Sequence, residues 1–588
     1  MRKPLWWVIA CGLILSLPVL VTGFPGLTHD GRVHEVWYTN FAAQFWAGDL
    51  YPRWLTNLDM GLGGPTFFFY PPTPFFITSL FQPIFPAQPH GWYVLGLSVA
   101  IALSISGVAA YAWLCETVDE RSAAIAAILY MALPYHFAVD IFLRGAFGEV
   151  WAFVWMPLIL WAAQRLTKRA TVGAAIGLAL SYAGLITTHL PTTLLFSVIP
   201  PIWVLWASTP GARIRAFAWV SVSMAIGIGL SAIYLVPALR DQASVTMDAM
   251  RVGDFHYSKT FFLPRDAHGK LLLARNTFQR GLFWIAVATA AVGGCAAIAA
   301  LRGGDERPVR RTIFWSVVVV ASGFMMFPVS TPVFELVPAL QLIQFPWRFQ
   351  AILGLAVIAL AAEGLGAIAR RRDALDTRLL FVGGILVFQW MLFAVTPLSI
   401  TAFGTNRQLT ETSPWKARNT NTAEYRPHWV TASMAPLQKR LRGDGDTIPK
   451  VAVTIGSARV TRWKPRDIAI QFDAPSNALV EVRQFYYPAW HATLDEKTRI
   501  AIAPADSTGL IQLPIPAGSH SIALRLEKGP SEILGGRISS VSLALLVIIG
   551  VAALFRTRGG RGREVSIHDH QVLRVTRDGM VTPASPIA

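Results

Sequence analysis

Charged and titratable residues follow directly after the first apolar segment of the chain, in residues 28–35 with the sequence THDGRVHE. If that segment spans a membrane, the cluster lies where the helix meets the water on its far side. A carboxylate that is partly desolvated at that depth has a raised pKa, which suits Asp30 to take a proton from a substrate hydroxyl. The alternative interpretation makes Asp30 a solvated N-cap of a short helix over residues 33–45.

A second cluster lies between Asp140 and Glu149, at the mouth of another apolar run. Arg144 and Glu149 bracket two glycines in this cluster. A planar guanidinium matches the geometry of a phosphate, so one interpretation has Arg144 clamping a substrate phosphate that Glu149 orients. In the other interpretation, Arg144 extends to the lipid phosphates and only anchors its helix.

Two single residues complete the set of candidates. His189 stands before Leu190-Pro191 in a hinge between two apolar runs, where a lone histidine is more often structural than functional. Arg348 follows Pro346-Trp347 before a later run, and an arginine at that depth is costly without a partner. A substrate phosphate and the lipid headgroups are equal alternatives for that partner.

Apolar runs of about twenty residues must position these groups. Of the 588 residues, 53% are hydrophobic and only 14% are charged, whereas a soluble chain carries about a quarter charged residues. The composition therefore predicts a polytopic α-helical membrane protein. The first run lacks a small-residue cleavage site and is interpreted as a retained helix. The predicted spans, about twelve in number, are 5–24, 92–115, 122–138, 149–164, 171–188, 190–207, 216–236, 281–301, 312–328, 349–369, 379–399 and 536–555.

The formal net charge of +17 is spread over basic clusters between the apolar runs. With a cytosolic N-terminus, nearly all of these clusters fall on the cytosolic side, which is the positive-inside pattern. The basicity therefore orients the protein and requires no nucleic acid. One long loop, 237–280, is basic but falls outside. It is either a folded excursion or a basic rim for an anionic lipid phosphate.

Alternating apolar and polar residues appear between about 449 and 526, broken by Pro, Gly, Asp and Ser. Short strands of this kind predict an antiparallel β-sandwich. We therefore expect a transmembrane module over 1–399 with an external loop 25–91, an external β-rich domain over 400–535, a last helix over 536–556 and a cytosolic tail over 557–588. The three cysteines lie in apolar runs and predict no disulfide framework.

The sequence contains none of the motifs that are typical of several other kinds of chemistry. We find no phosphate-binding P-loop, no dinucleotide-binding glycine motif, no HExxH and no GxSxG. No relay of carboxylates crosses the predicted spans, in which Glu363 is the main acid, near the cytosolic end. The polar groups gather instead on one outer face, which favours a site at the external interface over a path through the membrane.

Taken in order, the motifs resemble a bacterial membrane protein family of the GT-C glycosyltransferase superfamily, often labelled 6-pyruvoyl-tetrahydropterin synthase-related. The end of the chain is similar to YfhO-type membrane proteins, in Tyr486-Tyr487-Pro488-Ala489-Trp490 and Pro516-Ala517-Gly518-Ser519-His520. The pterin label has no visible basis, since a pterin synthase is a small soluble zinc enzyme with clustered histidines. The motifs that carry the GT-C resemblance are His29-Asp30, Tyr51-Pro52-Arg53-Trp54, Phe69-Tyr70-Pro71-Pro72, Arg144-Gly145-Ala146 with Glu149, His189-Leu190-Pro191 and Gln344-Phe345-Pro346-Trp347-Arg348.

The resemblance implies a transferase of the bacterial plasma membrane that moves a sugar from a polyprenyl-phosphate donor to an acceptor outside the cytosol. It makes Asp30, the acid of the first external loop, the catalytic residue. Because Asp30 lacks the paired acid of some GT-C members, we expect no metal, and no other cofactor. The same motifs supply the expected substrate contacts, which are His29, His34, Glu35, Arg53, Tyr70, Arg144, Glu149, His189 and Arg348.

Two other function classes fit parts of the pattern. A flippase or exporter of lipid-linked glycans requires polar residues through the depth of the spans. A non-catalytic membrane scaffold, with the β-domain as its binding module, predicts that Asp30, Arg144 and Arg348 tolerate substitution.

Overall fold

The structure, a computed structural model, describes residues 3–26, 28–85, 87–247, 252–264, 272, 276–303, 306–370, 422–431, 449–559, 573–575 and 581–583. Most of the apolar runs form long helices. The helices are α1 (Lys3–Thr22), α2 (Gly31–Trp46), α3 (Leu58–Gly61), α4 (Thr66–Phe69), α5 (Thr73–Ser79), α6 (Ala87–Leu114), α7 (Glu120–Met131), a π-helix (Tyr135–Arg144), α8 (Phe147–Lys168), α9 (Val172–Ile186), α10 (Leu190–Phe196), α11 (Ile199–Ala207), α12 (Arg213–Arg240), α13 (Thr277–Leu301), α14 (Glu306–Phe324), α15 (Thr331–Leu336), α16 (Gln350–Arg370) and α17 (Pro530–Gly559).

Among the described residues, nine helices are long and apolar enough to cross a membrane. A tenth span results if α14 and the following helical segment 328–336, bent by 95°, count as one. Every predicted span within the described part overlaps a helix, and the span over 379–399 lies outside that part. The predicted polytopic helical fold is therefore confirmed. Glu363, the acid inside the spans, is held by Arg311, whose Nη2 donates to its Oε2 at 2.9 Å.

Three long helices, α1, α8 and α12, have a proline in their interior, and in α8 and α12 a side chain from elsewhere repairs the break. Proline has no N–H, so the carbonyl four residues earlier loses its helical donor. In α8, Pro157 frees the carbonyl of Phe153, which accepts from the Tyr130 hydroxyl at 2.9 Å. In α12, Pro237 frees the carbonyl of Ile233. The donor that reaches Ile233, at 2.6 Å, is the guanidinium of Arg53 in the first external loop.

The π-helix ends at a glycine that lets the first loop pack closely. Gly145 has φ +63°, and a Cβ at this position would lie 2.2 Å from the Thr28 hydroxyl oxygen. Only glycine allows both that backbone conformation and that approach. As a result, the N–H of Asp30 donates to the carbonyl of Arg144 at 2.8 Å. The close packing places the start of α2 directly beside the end of the π-helix.

The segment 449–526 folds into two antiparallel sheets, so the predicted β-sandwich is confirmed. The sheet orders are β1-β4-β8-β7 and β2-β3-β9-β5-β6. Alternate residues of β3 and β4, such as Ile468, Phe472 and Val480, are buried between the sheets. The strands are β1 (Val451–Val453), β2 (Ser457–Lys464), β3 (Asp467–Ala474), β4 (Ala478–Phe485), β5 (Trp490–Leu494), β6 (Thr498–Ile500), β7 (Ala503–Pro504), β8 (Leu510–Ile515) and β9 (Gly518–Leu526), followed after α17 by the pair β10 (Leu573–Val575) and β11 (Val581–Pro583).

The β-sandwich sits on the first loop, residues 25–91. The N–H of Phe485 donates to the carbonyl of Leu62 at 2.7 Å, and the indole N–H of Trp54 donates to Gln484 at 3.1 Å. The Trp54 ring is buried and meets Trp490 edge to face, with centroids 5.9 Å apart. The aromatic part of the loop is thus a platform that fixes the β-domain above the helices.

Candidate functional site

The carboxylate of Asp30 stands at the start of α2 without capping it. Asp30 precedes Gly31 at the N-terminus of the helix, but its side chain forms no capping hydrogen bond. The Thr28 hydroxyl takes that role, because it accepts from the N–H of Gly31 at 3.1 Å. Asp30 therefore occupies the N-cap position and is exposed, as that interpretation predicted, but its carboxylate does not cap the helix and is available for other contacts.

Several of the predicted site residues converge around Tyr70. Burial raises the pKa of Tyr70, and the negative charge of Asp30 raises it further. The positive charges of Arg348 and Arg144 lower the same pKa, and Glu149 raises it. Because each charge acts on one buried hydroxyl, these four side chains lie around a common point. Residues far apart in the sequence are brought together here.

Arg144 is the centre of a buried polar network. Its Nη1 donates to Asp140 at 2.5 Å, to Glu149 at 2.6 Å and to the Tyr135 hydroxyl at 3.1 Å. The Tyr135 hydroxyl in turn donates to Glu149 at 2.9 Å. The guanidinium also lies 4.8 Å from the centre of the Trp347 ring. A buried charge needs such partners, and Arg144 takes them from within the protein.

Arg348 is less completely paired than Arg144. Its Nη1 donates to the carbonyl of Ile343 at 2.8 Å, and its Nε has no hydrogen-bond partner among the described residues. Its nearest carboxylate oxygen belongs to Glu149, at 4.0 Å, and that oxygen already accepts from Arg144. The guanidinium lies 5.0 Å from the centre of the Phe345 ring. Arg348 therefore keeps an unused donor, and the charge of Asp30 acts on its guanidinium.

Two neutral histidines flank the site with defined tautomers. Nδ1 of His189 accepts from the N–H of Thr192 at 3.4 Å, which leaves the proton on Nε2. Burial lowers the pKa of His189 to about 3. His34 has the opposite tautomer, since its Nδ1 donates to the carbonyl of Gly145 at 2.9 Å and its Nε2 accepts from Tyr70 at 3.1 Å. Burial lowers the pKa of His34 as well.

A glycine lets Tyr70 and His189 approach the start of α8. A Cβ on Gly148 would lie 3.4 Å from the Tyr70 hydroxyl and 3.5 Å from Cδ2 of His189. It would also lie 3.0 Å from the carbonyl of Thr188, which is tighter than most side-chain contacts. Gly148 thus keeps the donors of the site close to Glu149, the next residue.

Three of the predicted substrate contacts, His29, Glu35 and Arg53, lie at the edge of the group around Tyr70 or outside it. The ring of His29 packs edge to face on Phe278, with centroids 5.0 Å apart, at the rim of the site. Glu35 faces the start of α6, where a Cβ on Gly91 would lie 3.5 Å from its Cγ. Since Glu35 follows His34 in α2, the helical turn directs the two side chains to different neighbours. Burial raises the pKa of Glu35 to about 7.

Arg53 lies in an ion pair of its own, and its expected role as a substrate contact stays a prediction. Its Nε lies 3.0 Å from Glu532 of α17, and both side chains are 4% exposed. The guanidinium stacks 3.9 Å from the centre of the Tyr51 ring and donates to the carbonyl of Ile233. The physical reason is the proline break in α12, because Arg53 supplies the donor that Pro237 lacks.

Two residues that contact the site, Tyr135 and Tyr425, had no assigned role in the sequence analysis. Tyr135 follows Pro134, and that proline was the one available signal that a regular helix breaks there. Tyr425 is buried edge to face against Trp37 at 5.7 Å. Nothing in the polar sequence around Glu424 and Tyr425 indicates that this segment returns to the first loop.

Within the described residues, no group of three or more His, Cys, Asp and Glu side chains is arranged to hold a metal ion. The absence of a metal and of other cofactors stays a prediction.

The fold and the convergent polar groups define a multi-pass membrane protein with a polar centre beneath a β-sandwich. The chain belongs to the membrane protein family described as the 6-pyruvoyl-tetrahydropterin synthase related domain, whose family model matches residues 67–409, more than half of its length. Asp30 and His34 precede the matched residues. No curated protein sequence matches the chain.

Several solved structures resemble the chain at low identity. The oligosaccharyltransferase of Archaeoglobus fulgidus in its apo form is 13% identical, with a TM-score of 0.41, and the match covers 71% of this chain and 59% of that protein. The arabinofuranosyltransferase AftD from Mycobacteria is 15% identical, with a TM-score of 0.43, and the match covers 68% of this chain and 27% of AftD. The oligosaccharyltransferase AglB from Archaeoglobus fulgidus, in complex with an inhibitory peptide and a dolichol-phosphate, is 13% identical, with a TM-score of 0.39 and coverages of 72% and 61%. The chain thus spans less than two thirds of each of these proteins.

Proposed function

We propose that the protein is a GT-C type glycosyltransferase that moves a sugar from a polyprenyl-phosphate donor to an acceptor hydroxyl outside the cytosol. The observation that carries the proposal is the position of Asp30. Its carboxylate is exposed and has no capping role, and its charge acts on the incompletely paired Arg348. An acid next to a cation with unused donors suits a reaction in which one group takes a proton while the other receives a phosphate.

Arg348 is the group we assign to the donor phosphate. Its Nε has no partner among the described residues, whereas all three of the hydrogen bonds from Nη1 of Arg144 go to residues of the protein. A guanidinium with unused donors can bind a phosphate without first losing an internal ion pair. Arg144 then acts indirectly, because it fixes Glu149 and stacks on Trp347 next to Arg348.

Asp30 is the group we assign to the acceptor. It would take the proton of an acceptor hydroxyl while the acceptor oxygen attacks the anomeric carbon of the sugar. The bond from that carbon to the phosphate oxygen breaks, and the phosphate leaves with the electron pair. Arg348 stabilises the charge that develops on it. A single displacement of this kind inverts the anomeric configuration of the sugar.

Neutral donors complete the proposed site. The Nε2 proton of His189 has no partner among the described residues, and the imidazole is neutral at physiological pH. A neutral donor can bind a sugar hydroxyl without competing with Arg348 for the phosphate. Tyr70, which donates to His34, adds a rigid hydroxyl at the same point. The aromatic pair Phe345 and Trp347, stacked at 5.0 Å, would line the path of the prenyl chain.

We further propose the bacterial plasma membrane as the location, with the N-terminus and the tail in the cytosol and the β-domain outside. In this orientation the lipid-linked donor reaches the site from the outer leaflet, and the β-sandwich presents the acceptor. The contacts of Phe485 with Leu62 and of Gln484 with Trp54 support that placement of the β-domain close to the first loop.

Deletion of the protein from its native cell tests the proposal. A missing transferase leaves an envelope glycan that lacks one sugar, and the wild-type chain restores that sugar while the Asp30→Asn chain does not. A complete glycan trapped inside the deleted cell would instead identify an exporter. Restoration by a chain in which Asp30, Arg144 and Arg348 are all replaced would identify a scaffold.

A further inference from the structure

The carboxylate of Glu149 has three side chains around it. Its Oε1 accepts from the Tyr135 hydroxyl at 2.9 Å, and its Oε2 accepts from Nη1 of Arg144 at 2.6 Å. The same Oε2 lies 4.0 Å from Nε of Arg348, which is beyond hydrogen-bond distance. Glu149 is 1% exposed, so bulk water does not reach the carboxylate. Tyr135 and Arg144 therefore hold the carboxylate, and Arg348 only approaches it.

Tyr135 is placed to keep that carboxylate in one orientation. Tyr135 is the first residue of the π-helix, and its hydroxyl accepts from Nη1 of Arg144, the last residue of the same helix, at 3.1 Å. A phenol has a single O–H, so the bond from Arg144 uses a lone pair and the proton goes to Glu149. The hydroxyl thus fixes Oε1 of Glu149 while Oε2 stays with Arg144.

This arrangement leaves Arg348 without a carboxylate of its own. Arg144 also donates to Asp140 at 2.5 Å, so it takes both of the buried acids. Nε of Arg348 has no hydrogen-bond partner among the described residues. A Glu149 carboxylate that was free to turn would close the 4.0 Å gap and form an ion pair with Arg348, because the attraction between opposite charges is strong away from water. The Tyr135 hydroxyl opposes this movement, since the movement breaks its bond to Oε1.

We propose that Tyr135 is a positioning residue of the donor site, whose hydroxyl keeps the Glu149 carboxylate from pairing with Arg348 and so leaves that guanidinium free for a phosphate. This inference rests on the proposed function, in which Arg348 binds the donor phosphate. The hydroxyl acts through Glu149 and does not contact the donor. Its removal leaves Oε1 as a buried acceptor without a donor, which is unfavourable until the carboxylate finds another N–H. The unused Nε–H of Arg348 is the group that such a shift would reach.

The consequence is selective for the phosphate group. In a Tyr135→Phe protein, a phosphate has to displace Glu149 from Arg348 before it binds, whereas in the wild type it meets an unused donor. A prenyl alcohol has no phosphate and makes no use of Arg348, so its binding stays the same. A general loss of packing would weaken both ligands alike. The two ligands together therefore separate a positioning role from a structural one.

The test uses the full-length protein in lipid nanodiscs, with farnesyl phosphate and farnesol as probes and isothermal titration calorimetry against empty nanodiscs as the measurement. Tyr135→Phe raises the Kd of farnesyl phosphate about tenfold, because a charge-assisted bond must be displaced, and leaves the Kd of farnesol unchanged. In a chain that also carries Glu149→Gln, Tyr135→Phe has no further effect on either Kd, since no carboxylate is left to pair with Arg348.

The matched control is Tyr130→Phe. The Tyr130 hydroxyl is also buried, and it donates to the carbonyl of Phe153 at 2.9 Å, outside the contacts of Glu149. Its removal lowers the midpoint of thermal unfolding, because the carbonyl freed by Pro157 loses its donor. The Kd of farnesyl phosphate in this variant equals that of the wild type.

A wild-type Kd for farnesyl phosphate in Tyr135→Phe overturns the role of Tyr135 while the proposed function stands. An equal loss of affinity for the two probes overturns that role as well, and so does an undiminished loss in the chain with Glu149→Gln, since the hydroxyl would then act through packing. A wild-type protein that binds farnesyl phosphate no more tightly than farnesol overturns the phosphate site at Arg348, and this inference with it.

Discussion

Two arginines, the buried Arg53 and the half-buried Arg348, separate the parts of this protein that hold the fold from the part that we assign to chemistry. Arg53 has a carboxylate of its own, since its Nε lies 3.0 Å from Glu532, and it donates to the carbonyl of Ile233 at 2.6 Å. Arg348 has no carboxylate of its own. Its Nε lies 4.0 Å from an oxygen of Glu149 that already accepts a hydrogen bond from Arg144. Each keeps one nitrogen without a hydrogen-bond partner among the described residues. The two arginines therefore differ in the negative charge that lies beside each guanidinium.

That difference distinguishes a structural cation from one that is ready for a ligand. A buried ion pair with its own acid resists change, because removal of one partner leaves the other charged and desolvated. A cation that shares its carboxylate partner with another cation is stabilised when an anion binds to it. Arg53 therefore ties the first loop to α12 and α17, whereas Arg348 shares its acid with Arg144 and also experiences the charge of Asp30. Both lie in motifs that the sequence analysis treated alike.

The largest expected effect is on turnover and concerns Asp30. Replacing Asp30 with Asn removes the proton acceptor and lowers the rate of sugar transfer by about 10²- to 10⁴-fold. The midpoint of thermal unfolding stays the same, because the Asp30 side chain does not cap α2. Single-turnover transfer from a lipid-linked hexose measures the rate. The control is Asp49→Asn in the same loop, where Asp49 lies 3.6 Å from Arg466. Equal rates in the two variants would remove Asp30 from the site.

The second effect is on stability and concerns Arg53. Arg53→Met leaves Glu532 charged and buried, and lowers the free energy of unfolding by about 3–5 kcal/mol. The double variant Arg53→Met with Glu532→Leu recovers part of this loss, since no lone charge remains. Denaturant unfolding in detergent gives both values. A fully stable Arg53→Met protein with a raised KM for the donor would place Arg53 among the substrate contacts, against the comparison.

The third effect is on donor binding and concerns Arg348. Arg348→Lys keeps the charge but loses the planar fork, so KM for the lipid-linked donor rises about 10- to 100-fold. The exposed Arg459 of β2 is the control, and Arg459→Lys leaves the donor KM as it is. If Arg348→Lys binds the donor normally and unfolds more easily, Arg348 resembles Arg53, and the distinction between the two arginines fails.

The smallest effect is a pH dependence that belongs to Glu35. Its pKa is raised from an ordinary 4.5 to about 7 in the folded protein. Between these values the folded state holds a proton that the unfolded state has lost, so stability falls as the pH rises from about 4.5 to 7. Glu35→Gln lacks this decline and is more stable than the wild type by about 1–2 kcal/mol at pH 8. Thermal unfolding at pH 5 and pH 8 measures it. A decline that persists in Glu35→Gln would assign it to other groups.

The sequence predicted the elements of the fold well because each depends on local pattern. Apolar runs of about twenty residues specify spans, and period-two alternation specifies strands such as β3 and β4. β2 departs from this pattern, since a bulge between Val460 and Arg462 interrupts its alternation and exposed basic residues lie along it. Span 379–399 is a prediction that the described residues do not test.

The site was predicted only in part, because motifs give a residue's place in the chain and not the direction of its side chain. The predicted group of Asp30, Tyr70, Arg144, Glu149 and Arg348 does converge. We assigned Arg53 to the substrate from its motif alone. That motif does not show that Arg53 donates to a carbonyl 180 residues away in the sequence.

The direction of the Glu35 side chain and the contact of Tyr425 with Trp37 likewise depend on tertiary structure. Helical geometry explains the first only once the neighbours of α2 are known. For the second, no sequence periodicity links the two rings.

The proline break in α12 has a consequence for biogenesis. The carbonyl of Ile233 cannot complete its helix alone, and an unsatisfied carbonyl at membrane depth is costly. Its donor, Arg53, is synthesised early, but the acid that balances Arg53 belongs to α17, which emerges from the ribosome much later. Until then the Arg53 guanidinium beside α12 lacks its counter-charge. Final packing of the early helices therefore waits for translation of α17, and a chain that stops before α17 exposes a defect that quality-control proteases can recognise.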